Sequence, residues 1–217
     1  DHILGTDKIG RDVFARIIYG GRISILVGLG SALGAALIGV SIGAYTAYKG
    51  GWLDSTFLRI SEVVMSFPQI ILVLMLVTIL GQSLMNLIII FTLTGWGSLF
   101  RLTRAQMLSL REEEYVQALR AFGLNTFTIC FKHILPNALG PIMVNITLST
   151  AMFILQEAGL SFLGLGVPLN IPTWGNILNV AQDLRILQNY WWVWLPSAMT
   201  ISLFVLAINF VGDGLRD

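Results

Sequence analysis

The sequence predicts an all-α, polytopic membrane bundle with five spans, and three observations carry that prediction. Hydrophobic residues make up 55% of the 217-residue chain and charged residues only 12%, far from the balance of a water-soluble domain. Lys, Arg, Asp and Glu are absent from residues 23–48, 63–100, 134–156 and 186–212, and about 20 apolar residues suffice to cross a bilayer. The second run is too long for one helix and carries Gly81, Gln82 and Ser83 near its middle, so a tight turn divides it and brings the spans to five.

Residues 1–22 form an extracytoplasmic amphipathic segment ahead of the main membrane domain at 23–213. Ile9, Val13, Phe14, Ile17 and Ile18 fall on one helical face while Arg11, Asp12 and Arg16 fall elsewhere. That pattern predicts a helix lying on the membrane surface. In the first span Gly30 and Gly34, then Gly39 and Gly43, recur at four-residue spacing and predict a face on which another helix approaches closely.

A polar segment at 112–137 interrupts the apolar runs. Glu112, Glu113 and Glu114 place negative charge at a helix start, where the dipole favours it. Gly123 is suited to end that helix in a left-handed turn, and Asn125 or Thr126 to cap the next. Tyr115, Ala118, Leu119 and Phe122 recur at helical spacing as an apolar stripe, with Ala118 and Ala121 small enough for close approach by another protein. Pro136 then turns the chain at the entrance to the next span, with Asn137 and Pro141 beside it.

That span ends near Gln156 and Glu157. At roughly 1.5 Å per residue Glu157 lies about 30 Å beyond Asn137, near the outer face, where it is either hydrated or available to the translocation path or a partner. The external segment at 160–190 contains Pro168 and Pro172 ahead of an expected short helix at 174–187. Asp183 and Arg185 are its charges and candidate partner contacts. Tyr190, Trp191, Trp192 and Trp194 predict an aromatic belt at the membrane surface. Asn209 is a polar residue inside the last span.

Orientation follows from Lys and Arg, since short basic loops stay in the cytoplasm. Directing residues 23–48 inward places Lys49, Arg59, Arg101, Arg104, Arg111, Arg120, Lys132 and Arg216 inside, against Arg185 alone outside once the N-terminal tail is set apart. The 112–137 loop and the C-terminus are therefore cytoplasmic and the N-terminus external. An external start without a signal peptide or initiator Met predicts that a first helix precedes this sequence.

The stretch EYVQALRAFGLNTFTICFKHILPN, residues 114–137, resembles the cytoplasmic coupling loop of ABC-transporter permeases. In that pattern Glu-Ala-Ala is followed by three residues, Gly, nine residues, Ile, one residue and Leu-Pro. Gln117, Ala118 and Leu119 stand at the first three positions, Gly123 at the glycine, and His133 at the Ile before Leu135 and Pro136, so the spacing matches while three side chains depart. HILGTDKIGRDVFARIIYGGRIS, YKGGWLDSTFLRISEVVMSFP, EAGLSFLGLG, PTWGNIL and INFVGDGLRD are similar to recurrent blocks of the dipeptide, oligopeptide and nickel branch of these permeases, and together they cover nearly the whole chain.

The resemblance implies a type I importer fold and a pathway formed with a second permease subunit. It also implies two cytoplasmic ABC ATPase subunits and an extracytoplasmic substrate-binding protein. ATPase docking then falls on Glu114, Tyr115, Gln117, Ala118, Leu119, Ala121, Phe122, Gly123, Leu124 and Pro136. Gln156, Glu157, Asp183 and Arg185 are candidates for the pathway or the binding protein. Peptides are the implied cargo, with nickel or another small solute as the nearest rivals and a passive channel or scaffold without ATP coupling as the reading from another class.

Several chemistries have no residues to support them. No Gly-Lys-Ser or Gly-Lys-Thr phosphate loop is present, so ATP hydrolysis is expected in other chains and no cofactor in this one. Ser161 follows Gly159 but precedes Leu163 by two, which is not a nucleophile elbow. His2, His133 and the lone Cys130 are too few and too scattered for a metal site. No catalytic residue is assigned, and nucleic acid is not an expected partner.

Overall fold

A computed structural model describes residues 2–215. The described residues hold no β-strand, and the chain runs α1 (Val13–Lys49), α2 (Gly51–Ser66), α3 (Gln69–Leu80), α4 (Leu84–Leu110) and α5 (Glu114–Ala121). A helical run from Thr126 to Phe162 follows, beginning as α6 (Thr126–Thr128) and ending as α7 (Leu139–Phe162). Then come α8 (Trp174–Leu178), α9 (Leu184–Asn189) and α10 (Trp191–Gly214). Among the described residues, four helical runs are long and apolar enough to cross a membrane, and the bent pair α2 and α3, taken as one span, makes a fifth.

The fifth span departs from expectation. Gly81, at φ +83°, and Ser83, whose hydroxyl caps α4 by accepting from the Asn86 N–H at 3.1 Å, do divide the long apolar run. Residues 63–80 are nevertheless not one helix, because α2 and α3 meet at an angle of 86°. The cause is Pro68: Phe67 before it is extended at φ −93°, ψ 141°, and proline offers no N–H to continue the ladder. Asp54 in α2 receives a two-pronged ion pair from Arg104 in α4, at 2.8 and 2.7 Å, which fixes the α2 half of the bent pair.

The core is built on α1 and α4, which pack along much of their lengths. Glycine makes that approach possible. A methyl group on Gly39 would lie 2.5 Å from the Trp96 carbonyl oxygen, and one on Gly43 would lie 2.8 Å from that of Phe100. Gly34 faces Thr92, whereas Gly30 has room for a side chain. Gly28 belongs to a second contact, against Ile154 of α7. Leu87, Ile90, Phe91, Leu99 and Phe100 fill the interior, and Phe91 stacks on Phe153 with ring centres 5.3 Å apart.

The first helix begins earlier than the charge pattern suggested. Asp12 caps α1 by accepting from the Ala15 N–H at 3.0 Å, and the 37-residue helix continues past Arg16 and Arg22 without a break. At about 1.5 Å per residue it is roughly 55 Å long, well beyond the about 30 Å of a hydrocarbon core. The expected amphipathic face also divides. Val13 and Ile17 are buried in the bundle, Phe14 and Ile18 are exposed, and Ile9 lies ahead of the helix. Residues ahead of α1 fold back over it, tied by Asp7 to Arg11 and Arg16, each at 2.7 Å. Burial pushes the Asp7 carboxyl up, but the Arg11 and Ile9 N–H groups and the Arg11 guanidinium outweigh it and hold it below the usual carboxylate value.

The 160–190 segment, expected outside the membrane, is also more divided than expected. In place of one helix at 174–187 there are α8, a 3-10 turn at Asn179–Gln182 and α9, whose cap is Asp183. Trp174 is its anchor. The indole N–H donates to the Ile17 carbonyl at 2.9 Å, the Trp174 backbone N–H donates to Ser24 Oγ at 3.1 Å, and the Trp174 carbonyl accepts from Ser197 Oγ at 3.0 Å. One residue thereby joins α1 and α10 to the external segment. Of the expected belt residues, Tyr190 and Trp191 are exposed at the start of α10, with Trp192 edge-on to both, while Trp194 is half-buried.

Candidate functional site: an anchored helix and a polar groove

The polar segment folds as two helical pieces meeting at Gly123. Glu113 occupies the N-cap of α5 and Glu114 its first turn, while Arg120 sits in the last turn, an order the helix dipole favours at both ends. Gly123 has φ +76°, its N–H donates to the Arg120 carbonyl at 2.9 Å, and the Leu124 N–H donates to the Leu119 carbonyl at 3.3 Å, closing the helix in a left-handed turn. Asn125 then caps the next piece, its side-chain oxygen accepting from the Thr128 N–H at 2.7 Å. Of the two expected caps, Asn125 is the one used.

The apolar stripe of α5 has two sides. Val116 is fully buried among Ala44, Ala47, Met107, Ile129 and Ile134, and half-buried Leu119 and Leu124 pack against the same cluster. Tyr115, Ala118, Ala121 and Phe122 face outward, with Phe122 81% exposed. Gln117 is exposed too and donates back to the Glu112 carbonyl at 3.1 Å. Sequence reading put Leu119 on the docking face and overlooked Val116, although its three-residue offset from Leu119 is the signal of a second, inward face.

Polar contacts fix α5 to the membrane helices. The Arg120 guanidinium lies 4.9 Å above the Tyr48 ring, and its Nε donates to the Tyr48 hydroxyl at 3.1 Å. Just ahead of α5, Arg111 at the end of α4 donates to the Ala47 carbonyl at 2.9 Å. Displacement of α5 therefore acts directly on the C-terminal end of α1.

Pro136 does not break the helical run. It lies in a 3-10 turn at Leu135–Ala138, preceded by a π-helical stretch at Ile129–Ile134 in which the Leu135 N–H reaches the Cys130 carbonyl five residues back. Proline supplies no N–H and crowds the turn before it, and the wider and tighter turns absorb that misfit in sequence. The expected change of direction is thus a change of hydrogen-bond register.

Of the four candidates toward the end opposite α5, Asp183 and Arg185 share one cavity, while Gln156 and Glu157 lie apart from it. Glu157 is fully buried, its carboxylate oxygens accepting from Ser161 Oγ at 2.7 Å and Ser24 Oγ at 3.1 Å, so it neither meets water nor faces a path. It ties α7 to α1 below Trp174. Glu157→Ala leaves two buried hydroxyls without an acceptor and should lower stability by about 2–4 kcal/mol, read as a fall in the unfolding midpoint in detergent, while Glu157→Gln retains most of it. Asp183 pairs with Lys8 at 2.9 Å. The Lys8 contact and the Arg185 N–H hold its carboxyl below the usual range. Arg185 is exposed beside it, and both line an outer cavity of ≈ 1020 Å³ between the N-terminal residues and α9.

Gln156 leads to a feature the sequence reading left unassigned. Its amide donates to Gln69 Oε1 at 3.1 Å, and Gln69 in turn donates to Thr94 Oγ1 at 3.4 Å. Gln69 lines two adjoining surface grooves of ≈ 210 and ≈ 230 Å³ that share Gly95 and Ser98, the second walled also by Asn145 and Ser149. The signal was available: Asn145, Ser149, Met152 and Gln156 follow the helical repeat, as do Thr94 and Ser98.

Residues 25–217 match the family model described as the binding-protein-dependent transport system inner membrane component. Among curated relatives, a peptide permease protein of Brucella suis biovar 1 is 45% identical over 216 residues, covering 100% of this chain and 72% of that protein. The dipeptide transport system permease protein DppC of Bacillus subtilis is 43% identical, covering 100% of this chain and 68% of its own length. Among solved structures, one of inward-facing conformations of the MetNI methionine ABC transporter aligns with TM-score 0.72 and 20% identity over 94% of this chain and 95% of that one. An amino acid ABC transporter aligns with TM-score 0.68 and 12% identity over 94% of each chain. The fold is that of a type I ABC importer membrane domain, and the chain belongs to the family of inner-membrane components of binding-protein-dependent transport systems.

Proposed function

We propose that this chain is a permease subunit of an ATP-driven importer of peptides. It forms the membrane path with a second permease, docks cytoplasmic ATPase subunits through α5, and receives cargo from an extracytoplasmic binding protein. The observation that supports docking is the division of α5: Val116 and Leu119 fix it inward while Tyr115, Ala118, Ala121 and Phe122 stand outward without cover in the isolated chain. An exposed apolar knob on an anchored helix suits a groove on another protein. Two ATPase subunits match two permeases, one α5 to each. The peptide assignment is supported by the dipeptide and oligopeptide permeases of Bacillus subtilis, 43% and 41% identical to this chain.

Residue placement supports an external N-terminus and a cytoplasmic C-terminus in the cell inner membrane. Lys49, Arg59, Arg101, Arg104, Arg111, Arg120 and Lys132 lie on the side of α5; on the other lie Arg185 and, in the N-terminal region set apart from the count, Lys8, Arg11, Arg16 and Arg22. Arg216, the eighth residue of the cytoplasmic count, lies outside the described residues.

The test is a crosslink from the knob. Phe122→Cys, in the complex assembled with its partner permease, ATPase subunits and binding protein, should join an ATPase subunit through a short thiol crosslinker. Phe122→Ala should lower substrate-stimulated ATP hydrolysis at least about tenfold while the chain inserts normally, as loss of a central aromatic anchor does. Labelling of the Phe122→Cys thiol from outside intact cells, or unchanged stimulation in Phe122→Ala, would leave a passive channel or scaffold as the better reading.

A further inference from the structure

The two adjoining grooves at the bend between α2 and α3 form one surface that is polar yet without charge. Ser98 lies near the middle of the 27-residue α4, and Ser149 near the middle of α7, so this polarity sits at bilayer depth. Placing amides and hydroxyls there is unfavourable against lipid, and such residues in spans mark interior surfaces or wet paths. The Gln69 amide is held toward the groove from behind, by Gln156 on one side and Thr94 on the other, and Gln156 Oε1 is buried with no partner of its own. Among the described residues, no Asp, Glu, Lys, Arg or His lines either groove.

We propose that this groove is the stretch of the translocation path supplied by this chain, and that it passes peptides through neutral contacts to their main chain, indifferent to side-chain charge. The proposal rests on the peptide-permease reading above and deepens it. A peptide presents one N–H and one carbonyl at nearly every residue, whatever its side chains. Gln69 and Asn145 carry donors and acceptors on one group, and Ser98 and Ser149 rotate to provide either. Met65, Phe67 and Met152 supply apolar, adaptable wall between them. A fixed charge at this depth would hold cargo of opposite sign and repel cargo of its own sign, because the surroundings screen it poorly. Its absence lets anionic, neutral and cationic peptides pass by the same contacts. Gln156 is a positioning residue here, since it orients Gln69 without lining the groove.

The test is to install the missing charge. Ser98 is exposed in the groove, so Ser98→Asp and Ser98→Lys add a charge without removing a buried contact. ATP-driven uptake of Ala-Ala, Lys-Lys and Asp-Asp would be measured in vesicles holding the full complex. The binding protein's affinity for each peptide would be measured separately and used to normalise the rates. Wild type should carry the three at normalised rates within a few-fold. Ser98→Asp should slow Asp-Asp relative to Lys-Lys by about tenfold, and Ser98→Lys should reverse the order. Asn145→Asp, on the facing wall, should reproduce the Ser98→Asp pattern. Equal slowing of all three peptides, no change in their ratio, or failure of both aspartate variants to assemble would overturn the proposal, because a hydrated path accommodates a carboxylate and a dry helix interface does not. Absence of ATP-driven uptake in wild type would instead refute the peptide-permease reading, a separate outcome.

Discussion

Gly123→Val should abolish substrate stimulation of ATP hydrolysis in the assembled complex while leaving the amount of inserted protein near that of wild type. The backbone at this position has φ +76°, and nothing lies within 4 Å of where a side chain would begin. The substitution therefore creates no clash. Its cost is conformational: a left-handed L-residue is disfavoured by roughly 1–2 kcal/mol, and branching at Cβ adds to this. That is too little to unfold the chain but enough to open the turn that holds Phe122 and Leu124 on opposite sides of α5. Gly123→Asn is the control, because asparagine tolerates the left-handed region better than other side chains. It should retain most of the stimulation. If Asn and Val fail equally, bulk at the surface is the cause; if neither has an effect, this turn does not transmit force.

Gly39→Ala should be among the most destabilising single-methyl changes in the protein. In a helix interior the same replacement ordinarily gains about 1 kcal/mol, because alanine is the better helix former. Here the added methyl would lie 2.5 Å from the Trp96 carbonyl oxygen and 2.9 Å from the Phe100 nitrogen, both backbone atoms of α4 that cannot rotate aside. The helices must separate, which loosens the packing of Phe91, Leu99 and Phe100 along the same seam. A loss of about 2–4 kcal/mol is expected, read as a lower unfolding midpoint and reduced yield from membranes. Gly30→Ala on the same helix meets only Ile88, at 3.8 Å, and should be neutral or mildly stabilising. Opposite signs at two glycines of one helix would establish contact geometry rather than propensity as the cause. A neutral Gly39→Ala would mean that α1 and α4 stand further apart in the membrane.

Much of the fold is legible in the sequence because lipid permits few solutions. Charge-free runs marked the spans, and glycine at 81 and 123 marked turns that only a positive φ completes. What escaped was of two kinds. Charge marks water and not the end of a helix, so Arg16 and Arg22 ended the apolar run while α1 continued around them. Contacts between distant segments also leave little local trace. Glu157 has one partner four residues away, Ser161, which the helical repeat could reveal, and another 133 residues away, Ser24, which it could not. The helix at 114–121 and its Gly123 turn stand where the sequence places them, yet Val116 leaves no separate mark because the stripe pattern does not distinguish an inward face from an outward one. In the groove, Gln69 escaped because the turn at Pro68 that places it was read as part of a straight span.

Trp174 has a mechanical consequence. Its three backbone and indole hydrogen bonds join α1, α10 and the 160–190 segment at the end of the bundle opposite α5. α1 and α10 therefore cannot part at that end without breaking these bonds, and Trp174 acts as the rivet of the bundle.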